Sequence, residues 1–112
     1  MDRLNYRRQI IQDVLTDYHH LNEKSGSTTE SALAFDEVHD QYLLLLMGWH
    51  KDERIKSVMI HIRLKHEKIW IEQNMTEMRV AQELVEQGVS KDDIILGFQP
   101  PEMREYTGYG VV

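Results

Sequence analysis

The run Tyr42-Leu43-Leu44-Leu45-Leu46-Met47 constrains this chain more than any other stretch, because as a strand it is apolar on both faces. A strand of that kind needs cover on both sides. The helices of one small domain need not cover both faces of a sheet, so two arrangements are open. Either the N-terminal helix covers one face and the C-terminal segment the other, or a second copy of the chain supplies part of the cover. The second arrangement leads to the expectation of a two-fold homodimer, the commonest symmetry for identical chains. With 112 residues there is enough chain for one modest core and hardly for two. Residues 1–112 are therefore read as a single domain.

The flanking patterns give the rest of the architecture. Leu4, Ile11, Val14, Leu15, Tyr18 and Leu21 recur at helical spacing, with Arg7, Arg8, Gln12 and Asp13 largely on the other side. Asp2 is a suitable N-cap, and Ser25-Gly26-Ser27 ends the helix. Ser31, Leu33 and Phe35 then alternate with Ala32, Ala34 and Asp36, and a polar loop over 36–40 leads into the leucine run. After Gly48-Trp49 and a polar loop over 50–54, Val58, Ile60, Ile62 and Leu64 form a buried face. Ser57, Met59, His61, Arg63 and Lys65 form an open one. His66-Glu67 is a tight return, beyond which Ile69 and Ile71 continue the buried face and Trp70 and Glu72 the open one. Four strands with short links make an antiparallel meander.

Downstream, Asn74 with Glu77 reads as a helix N-cap, with Met78, Ala81, Leu84 and Val85 as the apolar stripe and Gly88 as the left-handed stop. Ser90 caps a shorter turn in which Asp92 and Asp93 are first-turn acids rather than a catalytic pair. Ile94, Ile95, Leu96 and Phe98 form an apolar anchor, and Pro101 opens a short helical turn after Pro100. The expected class is α+β: an N-terminal helix, a four-stranded antiparallel β-meander, then C-terminal helices packing on the sheet.

Little in this pattern points to chemistry. With no cysteine there is no disulfide framework, thiolate zinc site or cysteine nucleophile. No glycine-rich phosphate loop, nucleophile elbow or two-histidine helical motif occurs. His19 and His20 project about 100° apart on a helix, and His39 and His50 belong at opposite ends of the leucine strand. No catalytic, metal or cofactor residue is assigned, and the chain is read as not an enzyme. The N-terminus lacks an apolar signal core and no run nears the roughly 20 apolar residues of a membrane span, so a cytoplasmic protein is expected.

Charge separates two kinds of partner. The net charge of −6 argues against unaided binding to nucleic acid, whose affinity comes largely from phosphate neutralisation. Yet residues 50–68 carry six basic side chains against three acidic ones, a local +3 on a body that is −9 elsewhere. Lys51, Arg54, Lys56, Lys65 and Lys68 are the candidate nucleic-acid contacts of that hairpin. The candidate protein-binding set is Trp70 and Arg63 on the open face with Arg104, Tyr106 and Tyr109 after the double proline, residue types enriched at hot spots. The competing assignment makes Tyr106 and Tyr109 plugs of the core edge, with Arg104 paired to a helix acid such as Glu83 and Trp70 filling the edge of the sheet.

The segment KIWIEQNMTE, followed by VAQELVEQGVSKDDIILGFQPPEMREYTGYGVV, resembles the XisI family, the excision controlling factors of a developmentally regulated DNA element. YRRQIIQDVLTDY, DQYLLLLMGW and SVMIHIRLKHEKIWI fit the same family, so the resemblance covers essentially the whole chain, and LGFQPPEMREYTGY is its most specific part. One departure is His66-Glu67, where relatives often carry Asp-Gly. The resemblance implies a small α+β protein in control of site-specific DNA rearrangement, encoded beside XisH, a companion of nuclease-like fold, and without recombinase chemistry. It implies a non-catalytic accessory factor acting through a XisH-like partner, with DNA met only within a larger complex. The alternative is a factor that binds DNA directly through the 50–68 hairpin.

Overall fold

A computed structural model describes residues 3–111. Helix α1 (Arg3–Lys24) leads into β1 (Thr29–Asp36), β2 (Gln41–His50), β3 (Glu53–Lys65) and β4 (Lys68–Asn74). A short α2 (Val80–Glu86) follows, then a 3-10 turn (Lys91–Asp93), β5 (Ile94–Leu96) and a second 3-10 helix (Pro101–Tyr106). The strands form one sheet in the order β1-β2-β3-β4-β5. The first four make the expected antiparallel meander, and β5 lies parallel to β4. The apolar anchor Ile94–Leu96 is thus a fifth strand.

One face of the sheet packs on α1 and α2. Ile10, Ile11, Val14, Leu15 and Tyr18 of α1 and Val80 and Leu84 of α2 meet Tyr42, Leu44, Ile60, Ile62, Ile69 and Ile71. Each fully buried aliphatic side chain of this kind contributes about 1.5–3 kcal/mol. The α1 stripe is as expected except at its ends: Leu4 is only partly buried, and Leu21 is 53% exposed. The Asp2 cap falls outside the described residues.

Arg7, expected on the side away from the apolar stripe, is buried. Its guanidinium donates to the Glu67 carbonyl and to Asp93 Oδ2, the latter at 2.6 Å. It ties α1 to the β3–β4 turn and to the approach to β5, contacts with residues 60 and 86 positions away that no local period reveals.

Two bulges correct the strand faces. Leu44 pairs with Ile60 but Leu45 pairs with Val58, so Met59 is an extra residue. The alternation flips there. Val58 leaves the buried face and Met59 packs against the core, the reverse of the expected assignment. A second bulge at Glu72 sets His61 opposite Gln73 and Ile62 opposite Ile71. The 50–54 loop is also shorter than expected, because β2 and β3 remain paired out to His50 and Glu53.

Asn74 does not cap α2. As the last residue of β4 it accepts from the Thr76 N–H and hydroxyl at 2.9 and 2.6 Å and donates to the Met78 carbonyl, holding a separate turn. The helix starts only at Val80, so Val80 and Leu84 form its buried stripe and Met78 is exposed. Its stop is as expected: Gly88 has φ +103, its N–H reaches the Val85 carbonyl, and the Val89 N–H reaches the Leu84 carbonyl. That is a Schellman motif. The Ser90 side chain makes no cap bond, and Asp93 is held by Arg7 and Arg3.

His66 and Glu67 both have positive φ, 53 and 64, as a type I′ two-residue turn requires. Neither residue favours that region, which costs about 1–2 kcal/mol for a side-chain-bearing residue. Glu67→Gly should therefore raise stability by roughly 1 kcal/mol in urea unfolding. The Arg7 contact survives because it uses the Glu67 main chain.

Candidate functional site

The sheet face turned away from the helices holds most of the candidate residues. It divides into a closed half and an open half. Over β4 and β5 the C-terminal segment crosses the sheet and closes it. Trp70 is 8% exposed, with the Arg104 Cζ 5.3 Å, the Arg63 Cζ 5.4 Å and the Lys65 Nζ 5.5 Å from its ring centroid. Its indole N–H donates to the Lys65 carbonyl at 3.3 Å. Arg104 is itself buried and donates to the carbonyls of Gln99 and Gly97. It forms no pair with Glu83. Arg63 approaches Glu72 to 3.5 Å without the alignment of a hydrogen bond.

The crossing is tight. A Cβ on Gly110 would meet the Asp92 carbonyl oxygen at 2.3 Å and Ile95 Cδ1 at 2.6 Å, so only glycine lets the chain return beside β5. Tyr109 packs partly against the core with Lys91 over its ring, whereas Tyr106 is 73% exposed. Of the five candidate protein-binding residues, the structure thus brings Trp70, Arg63 and Arg104 together in one stack. Tyr109 lies on the core edge and Tyr106 in solvent.

Over β1 to β3 no element among the described residues packs on this face. By register Ala32 and Ala34 lie beside Leu43, Leu45 and Met47, and these beside His61, Val58 and Lys56. The leucine run is therefore buried on its helix side at Tyr42 and Leu44, and only half-buried at Leu43, Leu45 and Met47. A hollow of about 320 Å³ is lined by Leu45, Met47, Lys56, Ser57 and Val58. Trp49, 55% exposed, stands at its end with Arg54 stacked 5.4 Å from its centroid. The bulge at Met59, invisible in the alternation of residue types, is what delivers Val58 to this face.

The candidate nucleic-acid residues fall into two groups. Lys51, Arg54 and Lys56 lie exposed at the β2–β3 tip, while Lys65 ends β3 and Lys68, paired with it across the turn, opens β4. Arg54 and Lys65 are eleven residues apart along one strand, about 36 Å. Lys65 already faces Trp70, and the Lys68 ammonium donates to the Asp92 carbonyl at 3.3 Å. His61, also on this face, has its pKa lowered first by burial and then by Arg63, against Glu72, and contacts Gln41 at 2.7 Å.

A second concavity, about 270 Å³, lies on the helix side and is lined by Tyr18, Leu21, Leu44, Leu46, Met59 and Met78 among others. The buried Tyr18 hydroxyl has no hydrogen-bond partner among the described residues, and its pKa is pushed up to about 12 by burial first and then by Glu83, Asp17 and Glu86. Among the described residues no group of three or more His, Asp or Glu side chains converges to hold a metal ion. No helix among them is long and apolar enough to cross a membrane.

The family model described as XisI protein matches residues 1–111. The chain belongs to the XisI family. Its fold is that of XisI structures. The crystal structure of the fdxN element excision controlling factor XisI from Anabaena variabilis superposes with a TM-score of 0.86 at 32% sequence identity, over 99% of this chain and 100% of that one. A XisI-like protein from the same organism gives a TM-score of 0.85 at 36% identity, with the same coverage. None of the curated proteins matches the chain.

Proposed function

We propose that this XisI-family chain is a non-catalytic accessory factor in the control of DNA-element excision, acting in the cytoplasm through a protein partner of the XisH type. The observation that carries the reading is the uncovered half of the sheet. Leu45, Met47 and Val58 line a hollow with Trp49 at its end, bordered by Lys56 and by Arg54 stacked on Trp49. An apolar centre with an aromatic anchor and a charged rim is the anatomy of a protein interface, here for a partner that offers apolar side chains within an acidic border. The name of the Anabaena relative, an excision controlling factor, supplies the process. The chain also works as a two-fold homodimer, the commonest symmetry for identical chains.

The direct DNA-binding alternative is disfavoured by geometry as well as by net charge. Its basic residues form two clusters at opposite ends of β3, one of them engaged with Trp70 and Asp92. The test is capture of the purified XisH-like companion at roughly 0.1 M and roughly 0.5 M salt, beside an electrophoretic shift with duplex DNA. Capture should persist at both salts, and no shift should survive competitor DNA at sub-micromolar protein. A competitor-resistant shift would give the role to the hairpin instead.

A further inference from the structure

We infer that the outer edge of β1 is the dimer contact, pairing antiparallel with β1 of a second copy to make one continuous ten-stranded sheet; this rests on the self-association proposed above. A free edge presents a row of backbone N–H and C=O groups, and proteins normally guard it with charge, proline, a bulge or a covering segment. The three exposed edges of this sheet differ in that respect. Beside β5, only three residues long, the Gly110 N–H closes on the Ile94 carbonyl. The unpaired outer stretch of β3 carries Glu53, Arg54 and Lys56. At β1, all eight residues pair with β2 on one side, and among the described residues no strand pairs on the other. Ser31-Ala32-Leu33-Ala34-Phe35 has no charge, proline or bulge.

The occupant follows from the sequence of the edge itself. A two-fold requires the strand to be its own partner, with paired residues on the same face. Centred on Leu33, the pairing sets Glu30 against Asp36 twice. Centred on Ala32, it sets Glu30 against Ala34, Ser31 against Leu33 and Thr29 against Phe35, so no acids oppose each other and small residues meet at the axis. Above the edge, Gln12, Thr16 and His19 of α1 are half-buried, and His19 is already held to Ser31 at 2.6 Å. The two α1 helices then flank one another on the same side of the joined sheet, and the opposite face of both copies stays free for the partner.

A single cysteine tests the register, since the natural chain has none. Directly opposed antiparallel residues have Cα atoms about 4.5–5.5 Å apart, within disulfide reach. Ala32→Cys should cross-link to a dimer under mild oxidation. Ala34→Cys should not, because its symmetry mate lies four residues along, about 13 Å away. Ala32→Lys, which sets two ammonium groups face to face on the solvent side, should weaken the dimer roughly hundredfold by sedimentation, while Ala32→Ser leaves it intact. A wild-type monomer at tens-of-micromolar concentration would overturn both this contact and self-association. A dimer that ignores Ala32→Lys and does not cross-link through Ala32→Cys would overturn the β1 edge alone, leaving self-association through another surface.

Discussion

Arg7→Ala is expected to cost about 3 kcal/mol, the lower end of the 3–5 kcal/mol typical of removing one partner from a buried ion pair. The Arg7 side chain is 8% exposed and that of Asp93 19%, and Arg3 remains within 3.0 Å of Asp93 as partial compensation. The variant also deprives the Glu67 carbonyl of its donor, at the turn where two residues already hold positive φ. A melting-temperature loss of roughly 10–15 °C is the corresponding readout. Arg7→Lys should recover only part, because a point charge cannot serve a carboxylate and a carbonyl in the fork geometry of guanidinium.

The same pair sets an acid limit. The hydrogen bond from Arg7 first, then the charges of Arg7, Arg3 and Lys68, hold the Asp93 carboxyl below its ordinary range against the effect of burial. At Asp40 burial pushes upward, but the hydrogen bonds from Arg8 and Tyr42 prevail and the shift is again downward. A carboxylate with a lowered folded pKa contributes stability above its unfolded value, near 4, and loses it as pH falls through the folded value. Wild type should therefore lose stability steeply below about pH 4. The gap between wild type and Arg7→Ala should narrow over the same window. A gap that stayed constant down to pH 2 would mean that Asp93 is not the linked group.

Trp70→Ala should be the other severe change, about 3–5 kcal/mol, the range for deleting a large buried aromatic. It removes the ring against which Arg63, Lys65 and Arg104 gather, leaving three cations near one another without the π-face that offsets their repulsion. Arg104→Ala should cost less, roughly 1–3 kcal/mol, since two carbonyls lose a donor and the indole becomes wet. Tyr106→Ala, at 73% exposure, should leave the melting temperature within error. If Trp70→Ala melted like wild type but failed to capture the partner, the stack would be a binding surface and not a clamp on the C-terminal segment.

Much of this architecture is legible in residue order, because helix stripes, strand alternation and turn chemistry are local. The α1 stripe, the meander, the Gly88 stop and the Pro101 turn all follow from neighbours in sequence. What escapes is long-range or register-dependent. Nothing near Arg7 announces Asp93, and an arginine on the apparent polar side of a helix looks like any solvated one. Met59 and Val58 exchange faces because of a bulge that residue types do not encode. Asn74 has the chemistry of a cap and uses it on a turn, six residues before the helix starts at Val80. A three-residue strand such as Ile94–Leu96 is too short to show a period and exists because β4 offers it an edge. The candidate site shares this history. Trp70, Arg63 and Arg104 stand out as residue types, but whether they face solvent depends on how a segment some 30 residues later folds back.

The measurement that bears most directly on a partner docked on the uncovered sheet face is a calorimetric titration of the XisH-like companion into wild type and Leu45→Glu. Leu45 is half-buried on that face and in contact with the hollow, so the glutamate tolerates solvent in the free protein. It would be an unpaired charge inside an apolar interface, at a cost of several kcal/mol. The expected result is an unchanged melting temperature together with at least a roughly hundredfold weaker association. Equal affinity for wild type and Leu45→Glu, with both proteins folded, would contradict the assignment of this face to the partner.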